Sequence, residues 1–110
     1  MSVNFIGNDI TMTRGDTLKT KIIIKDSDGN DYVPVEGDYI RFAMKRKYSE
    51  KKPCVLKEIP YDTCLLTLNP EDTKNLPQPC EFVYDIQITL TDGTVDTFIT
   101  GKVNIKQEVE

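Results

Sequence analysis

Apolar and polar side chains alternate strictly through EFVYDIQITL, residues 81–90, and this segment gives the clearest prediction of local structure. One face of it would carry Phe82, Tyr84, Ile86, Ile88 and Leu90. A period of two is typical of a β-strand that buries one face and exposes the other. The segment therefore predicts a half-buried strand of about ten residues.

A second strand is predicted directly after it. The strands are separated by Asp92-Gly93, a pair that favours a tight hairpin turn. Beyond the turn, one parity holds Val95, Thr97, Ile99, Gly101, Val103 and Ile105. A glycine inside a strand indicates a bulge or a close approach of another backbone, so we expect one of these at Gly101.

The preceding part of the chain shows the same period. We predict strands at residues 10–12, 18–25 and 39–47, and a further hairpin of 54–59 with 63–68 around Tyr61-Asp62. In 54–59, the inward residues are either Val55 and Ile59 or Cys54 and Leu56. Asn69-Pro70-Glu71-Asp72 has the pattern of a helix start, with an N-cap, a proline and acidic residues. It predicts one or two helical turns within residues 69–76.

About seven strands with frequent turn signals predict an all-β fold, an immunoglobulin-like antiparallel β-sandwich. A β-barrel is the main alternative. The absence of Trp argues against an antibody-type core, which packs a Trp against its disulfide. A chain of 110 residues predicts a single domain, residues 1–110.

The composition restricts the chemistry of the chain. It contains no His, which excludes a Ser-His-Asp or Cys-His arrangement within the chain and the common zinc sites that use His. Its three cysteines, Cys54, Cys64 and Cys80, cannot all pair with one another, and we expect buried or half-buried free thiols. We predict no enzymatic activity, no catalytic residue, no metal and no cofactor.

Two short motifs are interpreted structurally. The acidic run at residues 26–31 does not match a calcium-binding EF-hand loop, because the glycine and the final glutamate are misplaced, and a polar turn is preferred. The tripeptide Arg14-Gly15-Asp16 occurs in some adhesive proteins. Here we interpret Gly15-Asp16 as a turn between two strands.

The charge is unevenly distributed. The net charge of −4 divides into +2 for residues 1–58 and −6 for residues 59–110. A basic cluster is the predicted partner contact and consists of Arg41, Lys45, Arg46, Lys47, Lys51 and Lys52. Nucleic acid is disfavoured as a partner, because the total charge is negative and only Tyr48 in this region could stack on a base.

The N-terminal sequence predicts no targeting signal. Residues 1–9 lack a basic segment followed by an apolar one, which a signal peptide requires. The longest apolar runs have three residues, far short of the roughly 20 that a membrane helix needs. We therefore expect a chain without a signal peptide and without a membrane partner.

Several segments, taken in order, resemble bacteriophage tail and baseplate structural domains, and most closely the N-terminal domain of phage baseplate upper proteins. These segments are ITMTRGDT at 10–17, DSDG at 26–29, VEGDYIRFAMK at 35–45, LTLNPEDT at 66–73, and the two C-terminal strands within 82–105. The resemblance implies an immunoglobulin-like, non-enzymatic virion component that assembles with other tail proteins or with copies of itself. It implies synthesis in the bacterial cytoplasm and no small-molecule ligand. The alternative function is a carbohydrate-binding or adhesive β-sandwich module.

Overall fold

The computed structural model describes residues 4–6, 9–25, 28–74, 76 and 80–107, with only the backbone given at 4–6, 80 and 98. Ten strands and one helix form within these residues, which bears out the all-β prediction. They are β1 (Asn4–Ile6), β2 (Asp9–Thr13), β3 (Leu18–Lys21), β4 (Ile24–Lys25), β5 (Asp31–Tyr32), β6 (Tyr39–Lys45), β7 (Val55–Ile59), β8 (Leu65–Leu68), α1 (Pro70–Lys74), β9 (Cys80–Thr89) and β10 (Val95–Lys106). No helix in this part of the chain is long and apolar enough to cross a membrane.

The largest element of the fold is a six-stranded sheet with the order β1-β2-β10-β9-β6-β7. All neighbouring strands in it are antiparallel except β10 and β2, which are parallel. Two smaller pairs, β3–β8 and β4–β5, complete the strand pairing of the described residues. The large sheet therefore begins and ends with strands that have one neighbour each.

A single hydrophobic core joins the large sheet to the smaller pairs. Its fully buried side chains come from both: Ile10, Met12, Leu18, Ile40, Phe42, Met44, Ile59, Leu66, Leu68, Phe82, Ile86 and Val103. The rings of Phe42 and Tyr84 lie 5.3 Å apart, centroid to centroid, at the centre of the large sheet. In β3, β6, β8 and β9, alternation places the buried residues of each strand on the face that is directed to the core, as the period of two predicts.

The C-terminal hairpin is confirmed, with a change in the position of its irregularity. The Leu90 amide donates to the Thr94 carbonyl oxygen at 2.8 Å, and the Gly93 amide donates to that of Leu90 at 2.9 Å. Gly93 adopts a φ of 90°, which completes a three-residue loop. The bulge lies between Thr97 and Ile99 and not at Gly101, which pairs in register with Tyr84. Because a bulge inserts one residue, Val95 lies on the face opposite to Ile99.

The predicted hairpin of 54–59 with 63–68 is wrong. β7 pairs with β6 of the large sheet, and β8 pairs with β3 of a smaller pair. The intervening turn therefore connects two sheets. Within β7 the ambiguity is resolved: Val55 and Ile59 are buried, and Leu56 is exposed.

The prediction of about seven strands was too low. β1 and β5 have three and two residues, too few for an alternating pattern to be detected in the sequence. The segment 18–25 is divided into β3 and β4 by a break at residues 22–23. Its predicted faces are confirmed, because Leu18 and Ile24 are buried whereas Lys19, Lys21 and Lys25 are exposed.

The short helix is confirmed as α1. Its start is held by the Asn69 amide, which donates to Asp72 Oδ2 at 2.7 Å. This contact is half of a capping box and satisfies one backbone donor ahead of the first turn. Asp72 Oδ2 also accepts from Lys57 Nζ at 2.9 Å, which ties the helix to β7. Pro77 and Pro79 follow the helix in the sequence, where a proline would end it, and lie outside the described residues.

The loop before β6 depends on Asp38 and Gly37. Asp38 Oδ2 accepts from the Tyr32 hydroxyl at 2.6 Å and from the Val35 amide at 3.0 Å. Hydrogen bonding to this carboxylate, together with burial, raises the pKa of Tyr32. Gly37 has a φ of 99°, and a Cβ there would lie 2.8 Å from Thr91 Cγ2. Only glycine meets both requirements without strain.

Gly37→Ala is expected to lower the free energy of unfolding by about 2–4 kcal/mol, since it adds a left-handed backbone penalty to a steric clash. Gly93→Ala is the matched control, because Gly93 has a similar φ of 90° and no atom within 4 Å of its Cβ position. We expect it to cost about 1–2 kcal/mol. Urea denaturation measures both values. Equal losses would show that the contact with Thr91 has no energetic effect.

A second prediction concerns alkaline pH. Burial, with a smaller effect of the Asp9 carboxylate, raises the pKa of Tyr84 from 10.0 to about 12. The folded chain therefore holds this proton more tightly than the unfolded chain, so the stabilisation is complete below pH 10 and is lost as the pH rises towards 12. Relative to Tyr84→Phe, the wild type should lose about 2 kcal/mol across this range. Urea titrations at several pH values test this, with Tyr48→Phe as the exposed control. Parallel curves for wild type and Tyr84→Phe would contradict it.

Candidate interaction surfaces

Arg14 is a buried arginine that clamps the end of α1. Its Nη1 donates to the carbonyl oxygens of Thr73, Lys74 and Leu76 at 2.7, 3.1 and 2.6 Å. The last carbonyls of a helix have no partner within it and carry partial negative charge, so a guanidinium suits them. The Gly15 amide adds a bond to the Thr73 hydroxyl at 2.8 Å.

The tripeptide Arg14-Gly15-Asp16 is thus part of the internal structure. Arg14 is only 6% exposed, so its guanidinium is not presented at the surface in this conformation. Gly15 has a φ of 83°, and the Asp16 amide donates to the Thr13 carbonyl oxygen at 3.1 Å. These features form the predicted turn between β2 and β3.

The predicted basic cluster is divided between two places. Arg41 and Lys45 lie in β6 on the outer face of the large sheet, where Arg41 Nη1 pairs with Asp85 Oδ1 at 2.6 Å. The remaining members occupy the β6–β7 connection and are exposed: Arg46, Lys47, Lys51 and Lys52. Arg46 Nε lies 4.0 Å from Glu50 Oε1. Lys45 ends β6 and is followed directly by this connection, and the role of the six side chains as a partner contact stays a prediction.

Three of the exposed apolar side chains, Ile23, Val33 and Tyr61, line one groove. This groove of about 280 Å³ is lined by residues 21–24, 31–34 and 61–64. At its rim, Ile23 is 61% exposed and Val33 is 78% exposed. These residues were missed from the sequence, although Ile23 has the parity of the exposed lysines and could have been recognised as an apolar residue facing outward.

Two cysteine side chains, those of Cys54 and Cys64, lie among the described residues, and both are free thiols. Cys64 is buried, as predicted, whereas Cys54 is exposed, contrary to the prediction, because it shares the outward parity of Leu56 next to the inward-facing Val55. Desolvation raises the pKa of both thiols. The side chain of Cys80 lies outside the described residues. No cluster of Cys, Asp and Glu suited to a metal occurs among the side chains that the structure describes.

Exposed tyrosines would be needed for the alternative function of binding carbohydrate. Tyr48 and Tyr61 are exposed, and Tyr32 is half-buried. Tyr61 lines the groove, whereas Tyr48 lies in the β6–β7 connection. The side chain of Phe98 falls outside the described residues. Tyr32 also lines the groove, and Tyr39 is exposed at the start of β6.

Arg14→Met should lower the free energy of unfolding by about 2–4 kcal/mol, because three carbonyl oxygens lose a charged donor in a buried place. Arg46→Met is the matched control, since Arg46 is exposed, and a change within about 0.5 kcal/mol is expected there. Urea denaturation measures both. If the two substitutions cost the same, the clamp on α1 does not stabilise the fold.

Comparison with known proteins gives no family assignment. No model of a protein family matches the chain, and no curated protein matches it significantly. The resemblance to phage tail and baseplate domains therefore stays a prediction from the order of the sequence segments.

Proposed function

We propose that this chain is a non-enzymatic structural module of a phage or prophage tail or baseplate, with an immunoglobulin-like β-sandwich fold. It would assemble through contacts with other tail proteins or with copies of itself. The observation that carries the proposal is that some strands have an edge with no strand partner among the described residues, among them β7 at one end of the large sheet and β3 in the small pair.

Two observations support a sandwich over the barrel. The large sheet has two terminal strands, β1 and β7, whereas a closed barrel has none. The β3–β8 pair supplies Leu18, Leu66 and Leu68 to the same core as the large sheet. Two layers that share a core are the architecture of a sandwich.

Unpaired edges suit assembly by strand addition. An edge strand presents a row of amide and carbonyl groups that a strand from another chain can pair with. Assembly of this kind requires neither a catalytic residue nor a deep pocket. The exposed apolar residues of the groove, among them Ile23 just after β3, would add contact area.

The proposal is tested on particles from an induced culture of the strain that carries the gene. Mass spectrometry and immunogold labelling of purified tails should detect the chain as a stoichiometric component at a fixed position. A strain that carries charge reversals at Lys45, Arg46 and Lys47 should incorporate less of it if the basic cluster contacts a neighbour. Absence of the chain from purified tails, with binding to cell-surface glycans instead, would overturn the proposal in favour of the adhesive alternative.

A further inference from the structure

Among the described residues, no strand pairs with the outer edge of β7, and the backbone groups of Leu56 and Glu58 point to that edge, away from β6. The Leu90 amide donates to the Thr94 carbonyl oxygen, so Leu90 directs its backbone groups to the β10 side. Backbone groups point to alternate sides along a strand, so those of Gln87 and Asp85 point to β6. The pairing of β6 with β9 and with β7 then determines which backbone groups of β7 point to β6. Those of Leu56 and Glu58 point to the other side. The Met44 carbonyl oxygen accepts from the Cys54 amide at 2.8 Å. Met44 therefore directs its carbonyl group to β7, as this alternation requires.

The edge of β3 is open in the same way. The Ile22 amide donates to the Cys64 carbonyl oxygen at 2.8 Å, so Ile22 and Thr20 direct their backbone groups to β8. By alternation, the amide and carbonyl groups of Lys19 and Lys21 point away from β8. Among the described residues, no strand pairs with this side of β3.

The outward side chains on the two edges are complementary. Along β3 and the residues after it, Lys21 and Ile23 are exposed, and along β7, Leu56 and Glu58 are exposed. Ile23 is 61% exposed and Leu56 is 56% exposed, although both lie in segments whose other face is buried in the core. Neither Lys21 nor Glu58 forms an ion pair with a side chain that the structure describes.

We infer that the β3 edge of one copy pairs antiparallel with the β7 edge of a second copy, with Lys21 opposite Glu58 and Ile23 opposite Leu56. This inference deepens the proposed function and rests on it. In this register, the backbone groups of Lys21 and Glu58 both face the partner strand, and an apolar pair follows an ionic pair along one face. Cross-strand pairs of both kinds stabilise a sheet, and like charges directly opposite destabilise it.

The contact uses different surfaces on the two copies, so a pair of copies retains one free edge of each kind, β7 on the first copy and β3 on the second. Repetition of such a heterologous contact gives a ring when the rotation closes and a filament when it does not. A parallel arrangement with Lys21 opposite Glu58 would place Lys19, and not Ile23, opposite Leu56. The antiparallel register is preferred because it pairs Ile23 with Leu56, and its hydrogen bonding ends at Glu58 because Pro60, which lies opposite Lys19, has no amide hydrogen to donate.

Charge reversal tests the inference. Lys21→Glu alone and Glu58→Lys alone each place like charges opposite one another, and each should weaken self-association about tenfold in sedimentation velocity. The double variant Lys21→Glu/Glu58→Lys should recover it, and so should an equimolar mixture of the two single variants. Lys102→Glu, on the interior strand β10, is the matched control and should associate like the wild type. Circular dichroism checks that each variant is folded.

The outcomes separate the two proposals. A wild-type chain that stays monomeric at every concentration, or single variants that associate like the wild type, would overturn the pairing of β3 with β7. Either result leaves the proposed function standing if the chain is present in purified tails. Association that is restored in the double variant, with no chain in purified tails, would support the pairing and overturn the proposed function.

Discussion

The contact between the Arg14 guanidinium and the end of α1 links parts of the chain that are remote in sequence. Its Nη1 bonds the carbonyl oxygens of Thr73, Lys74 and Leu76, some 59 to 62 residues away. The Arg14 amide meanwhile donates to the Lys106 carbonyl oxygen at 2.7 Å, at the end of β10. One residue thus fixes the exit of β2, the connection from β8 to β9 and the last strand of the large sheet.

This arrangement explains how the small pair is held over the large sheet. β3 begins shortly after Arg14, and β8 ends shortly before α1, so the clamp fixes the same end of both strands. The contact of Lys57 with Asp72 adds a link from α1 to β7. With β3 and β8 held to each other and to the core, the other side of β3 has no strand partner among the described residues.

The sequence predicts what alternation encodes. The β9–β10 hairpin, the faces of β3 and the helix start at Asn69 follow from local patterns, because a period of two and a capping motif depend on neighbouring residues alone. The partner of each strand does not, so β7 and β8 were wrongly joined as a hairpin across Tyr61. The role of Arg14 was missed for the same reason, since its contacts involve residues about sixty positions away. Ile23 and Leu56 are apolar residues at positions that face outward. The sequence indicates this only after the inward-facing residues of each segment have been assigned.

We propose that this module joins its neighbours at the edges of β3 and β7 that have no strand partner among the described residues. Hydrogen–deuterium exchange of the wild-type chain, compared below and above the concentration at which it associates, measures this at single amides. Slower exchange at Lys21, Leu56 and Glu58 on association is predicted, with interior strand amides such as that of Ile86 unchanged. Unchanged exchange at these edge amides in the associated form would contradict the account.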